Sequence, residues 1–312
     1  MRRLALALVA PLAVTAAVAG CSSPASNAND SVVVSGAVGK APTVRIPARP
    51  ASGNLVVRTV DPGHGPVLTV KDDYVANFAV YVWHGATHRL LYSTYSTTPQ
   101  GLPVQIGLTG LQKAMAGQRV GSRVLAVLPP RYGYGAAGNS QIGVGASDTL
   151  VWVIDPIAAY PVTASAAGAH VSDGGGALPT VTAKPGGPPS ITVPKGAPPR
   201  KLTVVTLIKG TGPAVRAGQD VVVRYVGAIW RTGKVFDENW PSAVQPSAPP
   251  TVFQLGHVIA GWNAGLPGVP VGSRVMLVVP PAEGYGKAGQ PQAGITGSDT
   301  LVFVVDVLGT AA

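Results

Sequence analysis

Four stretches in the C-terminal part of the chain concentrate β-branched and aliphatic residues at strand length: LTVVTLIKG (202–210), DVVVRYVGAIW (220–230), SRVMLVVP (273–280) and DTLVFVVDVLG (299–309). Runs of this length, bounded by Gly, Pro and polar residues, predict strands. TGPAVRAG and WRTGK between them predict turns. One segment has helical character, Ile259-Ala260-Gly261-Trp262-Asn263-Ala264-Gly265-Leu266, and it is stopped by Gly265 and Pro267. So short a helix must be held by packing rather than by propensity. The pattern therefore predicts an α+β fold in which an antiparallel sheet curls over one short helix.

The same pattern occurs twice. Residues 120–155 and 271–306 align without a gap at an offset of 151, with 22 of 36 positions identical. A second ungapped match, at an offset of 147, pairs Pro42 with Pro189, Pro47 with Pro194, Leu55 with Leu202 and Trp83 with Trp230. The expected organisation is one domain at 42–160 and its repeat at 189–312. Residues 161–188 (ASAAGAHVSDGGG, KPGGPP) have the Ala/Gly/Pro composition of a linker. Residues 22–41 are small and polar apart from a few valines and read as a flexible tether, whose span would be about 25 Å r.m.s..

Composition narrows the choice. With 40 glycines and 30 prolines in 312 residues and no G-X-Y period, neither collagen nor a bundle of long helices fits. Charged residues are only 12%, which excludes a charge-rich disordered chain. The net charge of +10 is scattered rather than clustered with aromatics, so no nucleic-acid partner is expected.

The N-terminus points to export. Arg2-Arg3 precedes the apolar run LALALVAPLAVTAAVAG and then Cys21, the one cysteine of the chain. This is the layout of a signal peptide; an uncleaved anchor is the alternative, weakened by Pro11. Val18-Ala19-Gly20-Cys21 resembles the lipobox of bacterial lipoproteins. That resemblance implies a signal peptide over 1–21, lipidation of the Cys21 sulfur, and a membrane partner reached through acyl chains on the outer face of the bacterial cytoplasmic membrane.

Several kinds of chemistry are poorly supported. GYGAAG (133–138) and GYGKAG (284–289) match G-x-G-x-x-G, but Pro-Pro precedes each and no helix pattern follows, so a nucleotide loop is not expected. His84 and His88 lack a Cys or carboxylate set to complete a zinc site, and G-x-S-x-G is missing. Neither a metal nor a cofactor is expected.

In the second repeat the aromatics Tyr225, Phe236, Trp262, Tyr285 and Phe303 read first as core. Asp237 beside Phe236 fits that reading poorly, because a carboxylate among core aromatics costs free energy unless it is paired. From Leu202 to Gly309 the order of motifs is G-x-G, V-x-Y-x-G, G-x-x-F-D, L-G, V-I-x-G-W, V-G-S-R, P-P-x-x-x-Y-G-x-x-G and T-L-V-F. In this order the chain resembles the FKBP-type peptidyl-prolyl isomerases. The resemblance implies two FKBP-like domains acting on proline-containing polypeptides. It implies catalytic roles for Tyr225, Phe236, Asp237, Trp262 and Tyr285, and substrate-binding roles for Val258, Ile259, Phe303 and, at the rim, Ile295. A phenylalanine usual just before Leu-Gly corresponds to Thr251 or Phe253.

In the first repeat, alignment places Phe78 for Tyr225, Tyr92-Ser93 for Phe236-Asp237, Leu111 for Trp262 and Trp152 for Phe303, while Tyr134 persists. A degenerate pocket is expected there. The implied function is isomerisation of X-Pro bonds in exported proteins, aiding their folding. A non-catalytic peptide-binding or chaperone lipoprotein is the alternative.

Overall fold

The computed structural model describes residues 27–104, 107–242 and 248–311. The apolar run at 4–20 and Cys21 lie outside these residues. Among the described residues no helix is long and apolar enough to cross a membrane.

The N-terminal half begins with a hairpin, β1 (Val33–Ser35) and β2 (Thr43–Arg45). It continues through β3 (Val56–Asp61), β4 (Asp72–His84), β5 (Thr87–Ser93), β6 (Gln100–Pro103), helix α1 (Thr109–Met115), β7 (Arg123–Leu128) and β8 (Thr149–Pro161). Strands β3-β7-β8-β4-β5 form an antiparallel sheet, with β6 also on β4. The C-terminal half repeats the sequence of elements. After β9 (Ala169–His170) comes a hairpin of β10 (Thr180–Ala183) and β11 (Pro189–Thr192). Then follow β12 (Thr203–Lys209), β13 (Asp220–Ile229), β14 (Val235–Glu238), β15 (Thr251–Gln254), helix α2 (Ala260–Gly265), β16 (Arg274–Val279) and β17 (Leu301–Ala311). The second sheet runs β14-β13-β17-β16-β12-β9, with β15 on β13. All four strand runs named from the sequence and the short helix at Trp262 are present.

The central strands are apolar at consecutive positions because each sheet is covered on both sides. Successive side chains of a strand face opposite ways. In β7, Val124, Ala126 and Leu128 pack toward α1, while Leu125 and Val127 pack under the first hairpin. In β16, Val275, Leu277 and Val279 meet the α2 side, and Met276 and Val278 lie under the second hairpin.

The hairpins correct two expectations. Residues 27–41 are not a flexible tether. Ala28–Ser31 form a helical turn, Val32 and Asn29 are fully buried, and the Asn29 amide donates to the Ser52 and Asn54 carbonyls at 3.1 and 2.6 Å. The buried Arg123–Asp155 pair pins the same segment: Arg123 donates to the Gly36 and Lys40 carbonyls, and Asp155 accepts from the Gly39 N–H at 2.7 Å. Nor is 161–188 a free linker, since β9 joins the second sheet and β10 pairs with β11. A few valines, properly spaced, cover a sheet face that would otherwise be wet; a window average of small polar residues hides them. The internal repeat consequently starts earlier than 42. Val34, Val44 and Ile46 correspond to Val181, Ile191 and Val193, and the indole N–H of Trp83 or Trp230 donates to the carbonyl of Arg49 or Gly196, each at 3.0 Å.

The two halves touch. Arg224 on β13, fully buried, reaches Asp73 on β4 at 3.0 Å and the carbonyls of Val162, Asn239 and Ala248, with its guanidinium over the Trp240 ring. Burial raises the Asp73 carboxyl to about 6, against the opposing pull of Arg224.

Candidate active site

One cavity of about 430 Å³ lies between the second sheet, α2 and the segment carrying Tyr285. Helix α2 supplies its floor. Trp262, 4% exposed, is approached edge-on by three rings: Tyr225 at 5.5 Å and 88°, Phe303 at 5.4 Å and 88°, and Phe253 at 5.3 Å and 77°. Phe236 meets Phe303 in the same way at 5.6 Å. Edge-to-face contacts of this kind suit the ring quadrupole and fix each side chain in place. Such packing holds a helix of six residues that its own hydrogen bonds would not.

The strand backbone explains how so many rings fit. Gly227 on β13 stands opposite Phe303 on β17 and Asp237 on β14. A Cβ on Gly227 would lie 2.8 Å from Phe236 Cζ and 3.0 Å from Phe303 Cε1, so the glycine makes the space these rings occupy. Asn239 clips the strand beside the site: its Oδ1 accepts from the Tyr225 N–H at 2.7 Å and its Nδ2 donates to the Val223 carbonyl at 2.9 Å.

The polar content is small. The Tyr225 hydroxyl donates to Asp237 Oδ2 at 2.5 Å. Burial, then the Asp237 bond and charge, push the Tyr225 phenol far above its ordinary range, so it remains a donor across the pH range of a folded protein. Burial and the Asp237 charge also raise the Tyr285 phenol, although that side chain is exposed at the rim. Ile259, just before α2, has a backbone N–H without a protein acceptor among the described residues. Among the described residues, no three His, Cys, Asp or Glu side chains come together as metal ligands would. The arrangement can hold an apolar ring in a dry recess and offer donors and one carboxylate to the groups attached to it.

Of the residues named from the sequence, Tyr225, Phe236, Asp237, Val258, Ile259, Trp262, Tyr285 and Phe303 all line this cavity. Ile295 does not. It is 2% exposed and packs in the core, its backbone bonded to Gln290, so it supports the Tyr285 segment rather than its rim. Phe253, not Thr251, provides the extra aromatic wall. His257 is a wall that sequence reasoning missed, although it directly precedes Val258-Ile259. GYGKAG forms a short 3-10 turn, Gly286–Ala288, capped by Gly289, which has φ +62° and where a Cβ would collide with the Ile295 carbonyl.

The first half differs at the corresponding positions. Val80 pairs with Tyr92 as Gly227 pairs with Asp237, and the bulge beyond Val80 leaves Leu91 in the place of Phe236. Leu91-Tyr92, not Tyr92-Ser93, therefore stand where Phe236-Asp237 do. Phe78 lacks a hydroxyl, Val80 fills the space of Gly227, and Leu111 replaces the indole.

Comparison with known proteins bears on the second half. The family model described as FKBP-type peptidyl-prolyl cis-trans isomerase matches residues 212–308. The chain is 38% identical over 112 residues to an FK506-binding protein of Streptomyces anulatus, covering 35% of this chain and 86% of that one. A probable FK506-binding protein of Corynebacterium glutamicum is 39% identical over 112 residues, covering 35% and 87%. A crystal structure of a peptidyl-prolyl cis-trans isomerase from Pseudomonas syringae pv. tomato matches at 33% identity and a TM-score of 0.31, over 36% of this chain and 76% of that one. With the motif order, the aromatic recess and the two FK506-binding relatives in hand, the chain belongs to the family of FKBP-type peptidyl-prolyl cis-trans isomerases.

Proposed function

We propose that this protein is an exported, lipid-anchored prolyl isomerase with two FKBP-like units in tandem, of which the second is catalytic and the first has lost the catalytic set. Its substrates are proline-containing polypeptides outside the cytoplasm, whose folding it assists. The observation that carries the catalytic assignment is the Tyr225–Asp237 hydrogen bond set over the ring cluster of Trp262. Export and anchoring rest on the basic start, the apolar run and the Val-Ala-Gly-Cys sequence ending at Cys21.

An X-Pro bond interconverts over tens to hundreds of seconds unaided, against a barrier of ~18–20 kcal/mol set by amide resonance. In the twisted transition state the C–N bond loses double-bond character and the amide is less polar. No bond to carbon need form or break. The pyrrolidine ring rests on Trp262, with Tyr225, Phe236 and Phe303 around it. The Ile259 N–H and the Tyr285 hydroxyl bond the flanking carbonyls and hold the peptide in register. Asp237, oriented by Tyr225, places negative potential beside the rotating carbonyl carbon. Stabilising the twisted form by ~4 kcal/mol over the bound planar form gives about a thousandfold acceleration.

The test is a cis/trans assay on a proline tetrapeptide with the full chain, together with Asp237→Ala and Trp262→Leu. Losses of about tenfold and a hundredfold in kcat/KM are expected; wild-type rates in both variants would end the assignment. Labelled fatty acid should enter the wild-type chain in a bacterial host and not Cys21→Ala.

A further inference from the structure

The first sheet has a cavity of its own, of about 470 Å³. Phe78, Leu91, Tyr92, Tyr134 and Trp152 line it, and these occupy the places of Tyr225, Phe236, Asp237, Tyr285 and Phe303. The remaining described walls differ. The active-site cavity closes on the helix side, on Val258, Ile259 and Trp262, whereas this one closes on Gln141 and Ile142, beyond Tyr134. Among the described residues the recess is thus walled beyond Tyr134 and not on the helix side.

Its chemistry has changed in one direction. No ionisable carboxylate or cation is among the described walls, and Gln141 is the one carboxamide there. At its opening stand Tyr92 and Ile142, 44% and 40% exposed, whose counterparts in the second half are Asp237 and Ala293. Large apolar side chains that rim an apolar recess mark a binding surface more often than scattered exposed residues do. The preferred occupant is uncharged, apolar and branched or flat.

The recess also adjoins the junction of the two halves. Tyr92 lines a second depression at the junction of the two halves, together with Thr97, Gln100, Pro249, Thr251 and Val252. Hydroxyls, a carboxamide and prolines there suit the amide groups of an extended chain. Thr251 lies two residues before Phe253, a wall of the active-site cavity, on the same face of β15. The junction groove therefore shares Tyr92 with the first recess and the strand β15 with the wall of the second.

We propose that the cavity of the first sheet takes an aromatic or branched aliphatic side chain of the same polypeptide whose proline enters the second, with the intervening chain lying in the junction groove. This inference rests on the isomerase reading for the identity of the polypeptide, and on the geometry above for the side-chain site.

The experiment uses the full chain and Ile142→Glu, which sets a carboxylate at the mouth through an exposed residue. Ile142→Val is the conservative control, and equal urea midpoints show that each variant is folded. The probes are a proline tetrapeptide, too short to span both recesses, and a reduced, carboxymethylated protein rich in Phe and Leu that competes with it. Ile142→Glu should leave tetrapeptide kcat/KM unchanged and weaken competition by the unfolded protein about tenfold or more, while Ile142→Val retains it. Equal competition by wild type and Ile142→Glu would overturn the proposal. The two readings fail separately. A wild-type chain that leaves the tetrapeptide unchanged, yet binds the fluorescently labelled unfolded protein in an Ile142-dependent manner, defeats the isomerase reading and keeps the side-chain site. Normal turnover with Ile142-independent binding does the reverse.

Discussion

The recesses of the two sheets share strand order, hairpin cover and a tyrosine after Pro-Pro, yet they differ in what they could do. In the second, a glycine at 227 lets Phe236 close edge-on against Phe303, which itself packs on the Trp262 indole, and a phenol orients a carboxylate. In the first, valine takes the glycine's place, leucine the indole's and tyrosine the carboxylate's. The comparison teaches that the frame and the site are separable. Hairpin cover and core packing hold each sheet without regard to the chemistry at its mouth, so the two recesses can carry different side chains on one frame.

Cutting the joint between the halves should have the largest effect. Asp73→Ala leaves the fully buried Arg224 without its anionic partner, which costs about 3–5 kcal/mol. A lowered urea midpoint is expected, and an unchanged one would show that the halves do not stabilise each other through this pair. The same carboxyl gives a pH signature. Its value of about 6 exceeds the ordinary 3.8, so between these the native chain holds a proton that the unfolded chain has released. Asp73 therefore favours folding most below about pH 4, and that contribution is lost as pH rises through 6. Asp73→Asn should flatten this part of the stability profile.

Next in size is the conversion of one recess toward the other. Gly227→Val introduces the first sheet's residue against Phe236 and Phe303. Overpacking of this kind costs about 1–3 kcal/mol, and we expect kcat/KM on a proline tetrapeptide to fall by up to about a hundredfold. Activity at the wild-type level would mean that the rings need not close as they do. A smaller change is expected from Tyr225→Phe, which copies Phe78. It removes the donor to Asp237 and should lower kcat/KM about tenfold without altering the unfolding free energy read from urea denaturation by more than about 1 kcal/mol.

Much of this was legible in the sequence, for reasons that particular residues make plain. Tyr225, Asp237 and Trp262 could be named because each sits in a short motif whose order along the chain is distinctive. The strands were visible because both faces of the sheet are buried, giving unbroken apolar runs such as RVMLVV. The hairpin covers were hidden because Val32, Val34 and Val181 are sparse among small polar residues. The register of Tyr92 was misread because a bulge shifts pairing by one residue after Val80, which alignment of letters does not record. Arg224 and Asp73 meet across 151 residues of chain, and nothing local marks either as the other's partner.

If Cys21 carries the proposed lipid, the packed turn at Ala28–Ser31 has a consequence for where the protein would work. With acyl chains on Cys21, five residues separate the lipid from the first packed turn. Fully stretched they reach about 18 Å, little more than the depth of a headgroup layer and its first hydration shells. Quenching of Trp83 or Trp230 emission by lipids carrying headgroup quenchers, relieved when residues 22–26 are lengthened, would reveal this. Moored on so brief a leash, the protein would patrol the skin of the bilayer, meeting chains as they emerge from it rather than after they have drifted off.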